Sequence, residues 1–361
     1  MTSQASVPFT TQPLTRKASR DGGNFGTSQS DGGDNMSTQQ TGAVERPLAA
    51  RSLLAFSGQV PGPLIGLVAI VVVLSFLSPY FLTVPNLMNI FSQVSDIGIM
   101  AIGSALVIFT GGIDLSVGAV LSVSLMTSAW LFHDFGVPFP LGVVAGLLVG
   151  GLVGFVNGVL SNYARIQPFV ATLATMSACS GIALFLTNGH PITGFPDWYT
   201  ALAGTRVFGV LPLEGIICVA LFMVAAFWLR FRPGGRAIYA VGGNEEVARL
   251  SGLNVRHVRV AVYVIAGLLA ALAGVIDGSR LDTAIPTMGQ ASLLNVIAVV
   301  VIGGASLAGG SGTMLNTFIG LLIIGVLNNG MALLDVSPNL QPVVIGITIV
   351  LAVLTDRRAR F

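Results

Sequence analysis

Residues 111–118 read Gly-Gly-Ile-Asp-Leu-Ser-Val-Gly, a polar knot bracketed by glycines and set between two long apolar runs. A charge at the centre of a bilayer costs about 2.5–3.5 kcal/mol on insertion scales, so a carboxylate that persists there lines a cavity or holds a partner. Asp114 is therefore a functional candidate. The flanking glycines let the backbone leave a helix without steric cost, and the freed amides can be met by Thr110, Ser116 or a bound polyol. The chemistry on offer is hydrogen bonding to a hydroxyl-rich solute, with Gly112, Asp114 and Ser116 along its path. Asp114 has a second possible role, capping the next helix through the amides near Ser116 and Val117.

A second knot echoes the first. Gly303-Gly304-Ala305-Ser306-Leu307-Ala308-Gly309-Gly310 lines up with Gly111–Gly118 at an offset of 192 residues, again between apolar runs, and Ser306 stands where a hydroxyl would again face the path. Interrupted helices at matching positions of an internal repeat mark solute routes in transporters. Both breaks fall on the same side of the expected topology, which implies a parallel repeat; an inverted one would mean a miscounted span. Between the knots, Gly142, Gly146, Gly150, Gly154 and Gly158 recur every fourth residue. At 1.5 Å per residue this ladder runs roughly 24 Å and leaves one edge of a helix without side chains, an edge suited to close helix packing rather than to lipid. Asn157 beside it either faces the path or hydrogen-bonds a neighbouring helix.

The other chemistry-bearing segment is Asn244-Glu245-Glu246-Val247-Ala248-Arg249-Leu250-Ser251-Gly252. It reads as one short helix: Asn244 caps it, Glu245 and Glu246 complement its positive end, Arg249 lies in the last turn and Gly252 stops it. Val247, Leu250 and Leu253 form an apolar strip suited to a partner's groove.

These elements sit in a chain that is 53% hydrophobic and only 9% charged, with net charge +2. Apolar runs of spanning length recur, and ten can be drawn at 63–79, 88–110, 116–132, 140–161, 168–187, 213–229, 259–276, 292–308, 313–333 and 342–355. With the N-terminus inside, Arg165, the group from Arg230 to Arg259, and Arg357, Arg358 and Arg360 are all cytoplasmic, leaving Arg206 and Arg280 outside. That is the bias of the positive-inside rule. The expected fold is thus all-α and polytopic, with about ten transmembrane helices and an internal repeat. Residues 1–57 read as a disordered cytoplasmic tail and 58–361 as the membrane domain, with a cytoplasmic loop at about 230–259.

Several activities are excluded by residue type. Lys17 is the only lysine, so no P-loop can be built and any ATP hydrolysis belongs to another subunit. His133, His190 and His257 lack metal-ligand spacing, Cys179 and Cys218 read as packing residues, and no cofactor, metal or nucleic-acid site is expected. Asp96 and Asp114 are the carboxylates expected in the membrane. They lie apart along the chain, which disfavours an ion-coupled carrier without removing it.

Taken together, Thr110–Ser122, Thr172–Ile192 (TLATMSACSGIALFLTNGHPI), Gly235–Leu253 (GRAIYAVGGNEEVARLSGL) and Asp282–Leu334 resemble the permease subunits of ribose/xylose-type ABC sugar importers, over roughly residues 60–355. The resemblance implies a bacterial inner-membrane subunit that is not itself an enzyme. It would work as a homodimer with a cytoplasmic ABC ATPase and a periplasmic sugar-binding protein. Asn244–Gly252 would be the contact that couples ATP to transport. Related permeases carry branched-chain amino acids or other small polar solutes. One departure is Asn295, in Leu294-Asn295-Val296-Ile297-Ala298, where the family often has an acidic residue.

Overall fold

The computed structural model describes residues 62–358. The tail expected over 1–57 lies outside them, as does Arg360. Among the described residues the chain forms fourteen α-helices, one 3-10 turn and two two-stranded ribbons. In order, the helices are α1 (Gly62–Leu77), α2 (Val84–Gln93), α3 (Ser95–Phe109), α4 (Val117–Phe135), α5 (Phe139–Asn162) and α6 (Pro168–Leu186). There follow α7 (Asp197–Gly204), α8 (Leu213–Phe231), α9 (Pro233–Gly243), α10 (Glu245–Leu250) and α11 (Val255–Leu281), then α12 (Ser292–Ile302), α13 (Met314–Leu333) and α14 (Gln341–Arg358).

Each expected apolar run is occupied by helix, but not all of those helices are long enough to cross a bilayer. Five pass on length and composition, α5, α6, α8, α11 and α13, and a sixth is reached if α2 and α3 count as one span bent by 44°. The bend falls where the Ser95 hydroxyl donates to the Phe91 carbonyl one turn back, at 2.6 Å, a bond that competes with the helical ladder. The run expected over 292–308 stops at Ile302, because the chain turns at Gly303 and Gly304. The loop drawn at 230–259 already contains α9 and α10, and α11 starts inside it at Val255.

Burial sorts the helices. Every residue of α3 is buried, and the best apolar windows of α11 and α13 are 56% and 67% buried, against 28%, 22% and 28% for α5, α6 and α8. The most enclosed helices are therefore α3, α11, α13 and the first two-thirds of α4, while α5, α6 and α8 are the more exposed.

The ladder on α5 explains the tightest of these contacts. Gly142, Gly146, Gly150, Gly154 and Gly158 are all buried, while Leu141, Leu148, Leu152 and Phe155 on the other edge are exposed. Gly142 and Gly146 lie against the backbone of Ser128 and Ser124 on α4, and the remaining three against α11. A β-carbon at Gly150 would come within 2.5 Å of the Gly267 carbonyl and 2.6 Å of Ala271 Cβ.

At the far end of the bundle, β1 (Ile192–Thr193) pairs antiparallel with β4 (Thr283–Ala284), and β2 (Arg206–Val207) pairs with β3 (Leu211–Pro212). Tyr199 of α7 plugs this end, its hydroxyl donating to the Val275 carbonyl at 2.8 Å within a cluster formed with Phe139, Phe195 and Trp198.

Gly150→Leu inserts four carbons where two backbones touch. Overpacking costs about 1–3 kcal/mol in ordinary cores and more where backbone is the obstacle. The variant is expected to melt at a lower temperature in detergent than Leu148→Ala on the exposed edge; equal melting would place the ladder outside the packing.

Candidate functional site

The two glycine knots end their helices in the same way. At the first, Gly111 takes φ 78°, its amide donates to the Ile108 carbonyl (2.9 Å), and the Gly112 amide reaches back to Val107 (3.0 Å). At the second, Gly304 takes φ 77°, its amide donates to Val301 (2.9 Å), and the Ala305 amide reaches Val300 (3.2 Å). This is a left-handed C-terminal cap, a conformation in which glycine avoids the β-carbon penalty. The structural match therefore pairs Gly111 with Gly304, one residue off the alignment read from sequence. After the caps the segments differ, since α4 resumes at Val117 and α13 only at Met314.

The knots also touch each other. The Gly310 amide donates to the Phe109 carbonyl at 3.0 Å, and a β-carbon on Gly309 would fall 2.8 Å from Gly111. The end of α9 fits into the same place. A β-carbon on Gly242 would overlap the Phe109 carbonyl and lie 2.6 Å from the Gly310 amide. The Tyr239 ring stacks on Phe109 at 5.5 Å, and its hydroxyl, whose pKa burial raises above the ordinary tyrosine value, donates to the Gly312 carbonyl at 3.0 Å. Both helix breaks thus share a backbone junction with Gly242, two residues before the cap of α10.

Asp114 anchors a buried polar chain just beyond the first cap. Its Oδ1 accepts from the Ser116 amide (2.8 Å) and the Ser116 hydroxyl (2.6 Å). Asn157 Nδ2 donates to Ser116 Oγ (2.8 Å), and Thr175 Oγ1 of α6 donates to Asn157 Oδ1 (2.6 Å). Asp114, Ser116 and Asn157 are at most 6% exposed. Three segments, the knot, α5 and α6, are thereby tied by four hydrogen bonds, and Thr175 is a member that sequence reading missed. Of the two roles open to Asp114, the turn-capping bond to the Ser116 amide is present; of those open to Asn157, so are bonds to neighbouring segments. Because Asn157 is about a turn and a half from the end of α5, the chain lies inside the bundle but away from its centre. Gly112 is buried next to the Tyr263 hydroxyl. Ser306 stays outside this network, on the turn closed by the Gly309 amide donating to its carbonyl at 2.9 Å.

The Asn244 helix forms as read. Asn244 Oδ1 accepts from the Glu246 and Val247 amides, both at 3.0 Å, α10 runs through Arg249 to Leu250, and Gly252 turns the chain at φ 83°. Val247 and Leu250 project outward, 57% and 80% exposed, while Ala248 is buried. Glu245 is held by Arg259 of α11 at 2.8 Å.

Two further features escaped sequence reading. First, Asp96 is not alone at the opposite end. Arg280 donates to Asp96 (3.4 Å), to Asp277 (2.5 Å) and to the Ser92 carbonyl (3.1 Å), while Glu214, wholly buried, accepts from the Ser92 hydroxyl. Asp277 and Glu214 thus join Asp96 and Asp114 as carboxylates within apolar segments. Asp277 stands three residues before Arg280, a spacing that faces the two along a helix, and was the available signal. Second, the chain between β4 and α12 re-enters the bundle. Its 3-10 turn, Met288–Gln290, packs Gly289 against Gly118, and the Gly289 amide donates to Ser122 Oγ at 3.0 Å. Ser124, half a turn further, faces Gly146 and Gly150 at the middle of α5. Irregular backbone with Thr287 and Gln290 exposed therefore reaches mid-bundle, followed by Asn295, whose Oδ1 is buried without a hydrogen-bond partner among the described residues.

Comparison with known proteins places this arrangement in context. A family described as branched-chain amino acid transport system / permease component matches residues 86–353. The ribose import permease protein RbsC of Bacillus subtilis is 45% identical over 298 residues, covering 82% of this chain and 92% of the relative. Its namesake in Escherichia coli K12 is 44% identical over 299 residues, at the same coverage of each chain. The D-allose transport system permease protein AlsC of Escherichia coli K12 is 38% identical over 292 residues, covering 81% and 89%. No solved structure matches.

Removing Arg280 leaves Asp96 and Asp277 buried and uncompensated, which in comparable pairs costs about 3–5 kcal/mol. Arg280→Met is expected to lower the melting temperature sharply, and Arg280→Lys, which keeps the charge but not the two-pronged geometry, to lie between. Wild-type melting in Arg280→Met would show that the cluster contributes nothing to stability.

Proposed function

This chain belongs to the branched-chain amino acid transport system / permease component family, and from that premise we propose that it is the membrane subunit of an ATP-driven importer for a monosaccharide of the ribose type. The observation that carries the reading is the junction at Gly242: an exposed, capped surface helix joined through a glycine contact to both interrupted helices. An ion-coupled carrier has no use for such a helix. The sugar class rests on the relatives, two named for ribose and one for D-allose.

The arginines at the α10 end put that end in the cytoplasm by the positive-inside rule, with ten crossings of a bacterial inner membrane and both termini inside. A cytoplasmic ABC ATPase docks on Val247 and Leu250, and a periplasmic sugar-binding protein delivers the solute to the Arg280 end. This chain performs no bond chemistry and takes no cofactor. When the ATPase closes, α10 moves. Because Gly242 abuts the Phe109 carbonyl and Gly310 with no side chain between, the displacement reaches both caps together. Asn244, Glu245, Glu246, Arg249, Leu250 and Gly252 are the coupling residues, with Glu245 fixing α10 to α11 through Arg259.

The solute path is lined by the segments where backbone leaves the helix: Gly112, Asp114, Ser116 and Asn157 at the inner end, and Ser306 on the second knot. The re-entrant turn adds Thr287 and Gln290. Lipid cannot satisfy irregular backbone or unpaired amides at mid-depth. A second copy of the chain covers that face, with the path between the two, so the permease works as a homodimer. The shared left-handed caps support an internal repeat.

The test is uptake of labelled ribose, xylose and allose into vesicles holding this chain with a co-encoded ATPase and binding protein. One sugar is expected to accumulate only with ATP and both partners; accumulation driven by a proton or sodium gradient would overturn the reading. In the same vesicles Glu245→Lys/Glu246→Lys is expected to leave ATP hydrolysis running while uptake falls by tenfold or more, about 1.4 kcal/mol of lost coupling. Asp114→Ala is expected to lower both uptake and thermal stability, since it strips the Ser116 amide of its acceptor.

A further inference from the structure

Beside α10 a cavity of about 880 Å³ opens between the α5–α6 connection and the start of α11. Four arginines line it, Arg165, Arg249, Arg256 and Arg259, with Glu245 as the one acidic residue. Glu245 is committed to Arg259. Arg165, Arg249 and Arg256 are exposed and have no carboxylate partner among the described residues. Arg256 is held over the Tyr163 ring, 5.2 Å from its centroid, and so is oriented by an aromatic face.

The helix terminus adds to this charge. α11 begins at this cavity with no acidic residue in its first turn, where Arg256 stands instead, just ahead of the Glu245-paired Arg259. Helix N-termini favour anions and disfavour cations, so the arrangement is electrostatically incomplete without an added negative group. Arg165 has φ 58°, a left-handed conformation that a side chain rarely adopts.

Directly beyond the arginines the surface turns apolar. Tyr163, Ile166, Phe169, Val170 and Leu173 are all exposed along the start of α6 and the turn before it. A basic concavity continuous with an apolar helix face at the membrane edge matches a molecule that carries phosphate at one end and hydrocarbon at the other.

We propose that this cavity binds the phosphate headgroup of an anionic phospholipid, with Arg165 and Arg256 as its principal contacts and the acyl chains lying along α6. The site is distinct from the outward face of α10, where Val247 and Leu250 project. It goes beyond the transport reading and does not depend on the solute carried. A bound lipid would tie the α5–α6 connection to the root of α10 and so set how freely that helix moves.

The experiment uses the full chain in nanodiscs of mixed phosphatidylethanolamine, phosphatidylglycerol and cardiolipin, followed by detergent extraction and native mass spectrometry of retained lipid. Wild type is expected to retain phosphatidylglycerol or cardiolipin preferentially. Arg165→Gln/Arg256→Gln is expected to lose that enrichment by roughly tenfold or more, while Arg232→Gln, basic but outside the cavity, keeps it. Melting in purely zwitterionic nanodiscs reports whether the double variant is folded; if it is not, Arg249→Gln gives the same readout with a smaller loss. Undiminished retention in the variants overturns the proposal. So does stabilisation by inorganic phosphate without lipid enrichment, which would make the ligand a free anion. Loss of ATPase co-purification with lipid retention unchanged would make the cavity part of the protein interface, and also overturns it.

Discussion

The bundle depends on how closely α5 can approach α11. In lipid there is no hydrophobic drive between helices, so contact has to come from dispersion at short range, which requires backbones that nearly touch. Gly150 and Gly154 on one helix and Gly267 on the other meet without a β-carbon between them. The contact brings Asn157, the residue before the last glycine of the ladder, up to Ser116, and so closes the polar chain from Asp114 to Thr175. It also sets α11 against α3 at Gly103 and Ala266, which buries the whole of α3 and presents its end, Phe109, to the junction with Gly242.

Charge is distributed to suit that frame. At one end a single guanidinium serves two aspartates, with Glu214 hydrogen-bonded nearby, in a setting where none of them could stand unpaired. At the other end the carboxylate of Asp114 is met by hydrogen bonds alone, from groups that the glycine turn leaves free. The first arrangement is a clamp that resists separation of α3 and α11. The second is made of modest, individually replaceable bonds. The contrast gives the bundle one end tied by paired charges and another tied by weaker, more replaceable bonds.

Much of this was legible in the chain. The ladder announced its packing face because four-residue spacing admits one geometry, and the Asn244 helix announced its cap, its charges and its stop. The knots revealed themselves as breaks, but not their register: glycines at 303, 304, 309 and 310 offer several alignments, and it is the pair of capping bonds around Gly304, together with its positive φ, that identifies it as the partner of Gly111. The Arg280 cluster was hidden because, apart from the Asp277–Arg280 spacing, its members are scattered from Ser92 to Glu214 and nothing local foretells that they converge on Arg280. The re-entrant turn at Met288–Gln290 was hidden for the opposite reason. The stretch 282–290 reads as an ordinary loop ahead of the span drawn at 292–308, and its entry into the bundle is visible only where Gly289 meets Gly118.

The junction at Gly242 has one more implication. At its tightest point the contact is backbone on backbone, a glycine against a carbonyl and an amide, with Tyr239 and Phe109 stacked beside it. The outward face of α10 and the interior of the bundle are therefore joined mechanically, while the apolar side chains on that face, Val247 and Leu250, point away from the joint. Such a joint is a modular fitting. Residues on the outward face of α10 can change, and so can residues deep in the bundle, without disturbing the joint, so long as the space that would hold one β-carbon stays empty.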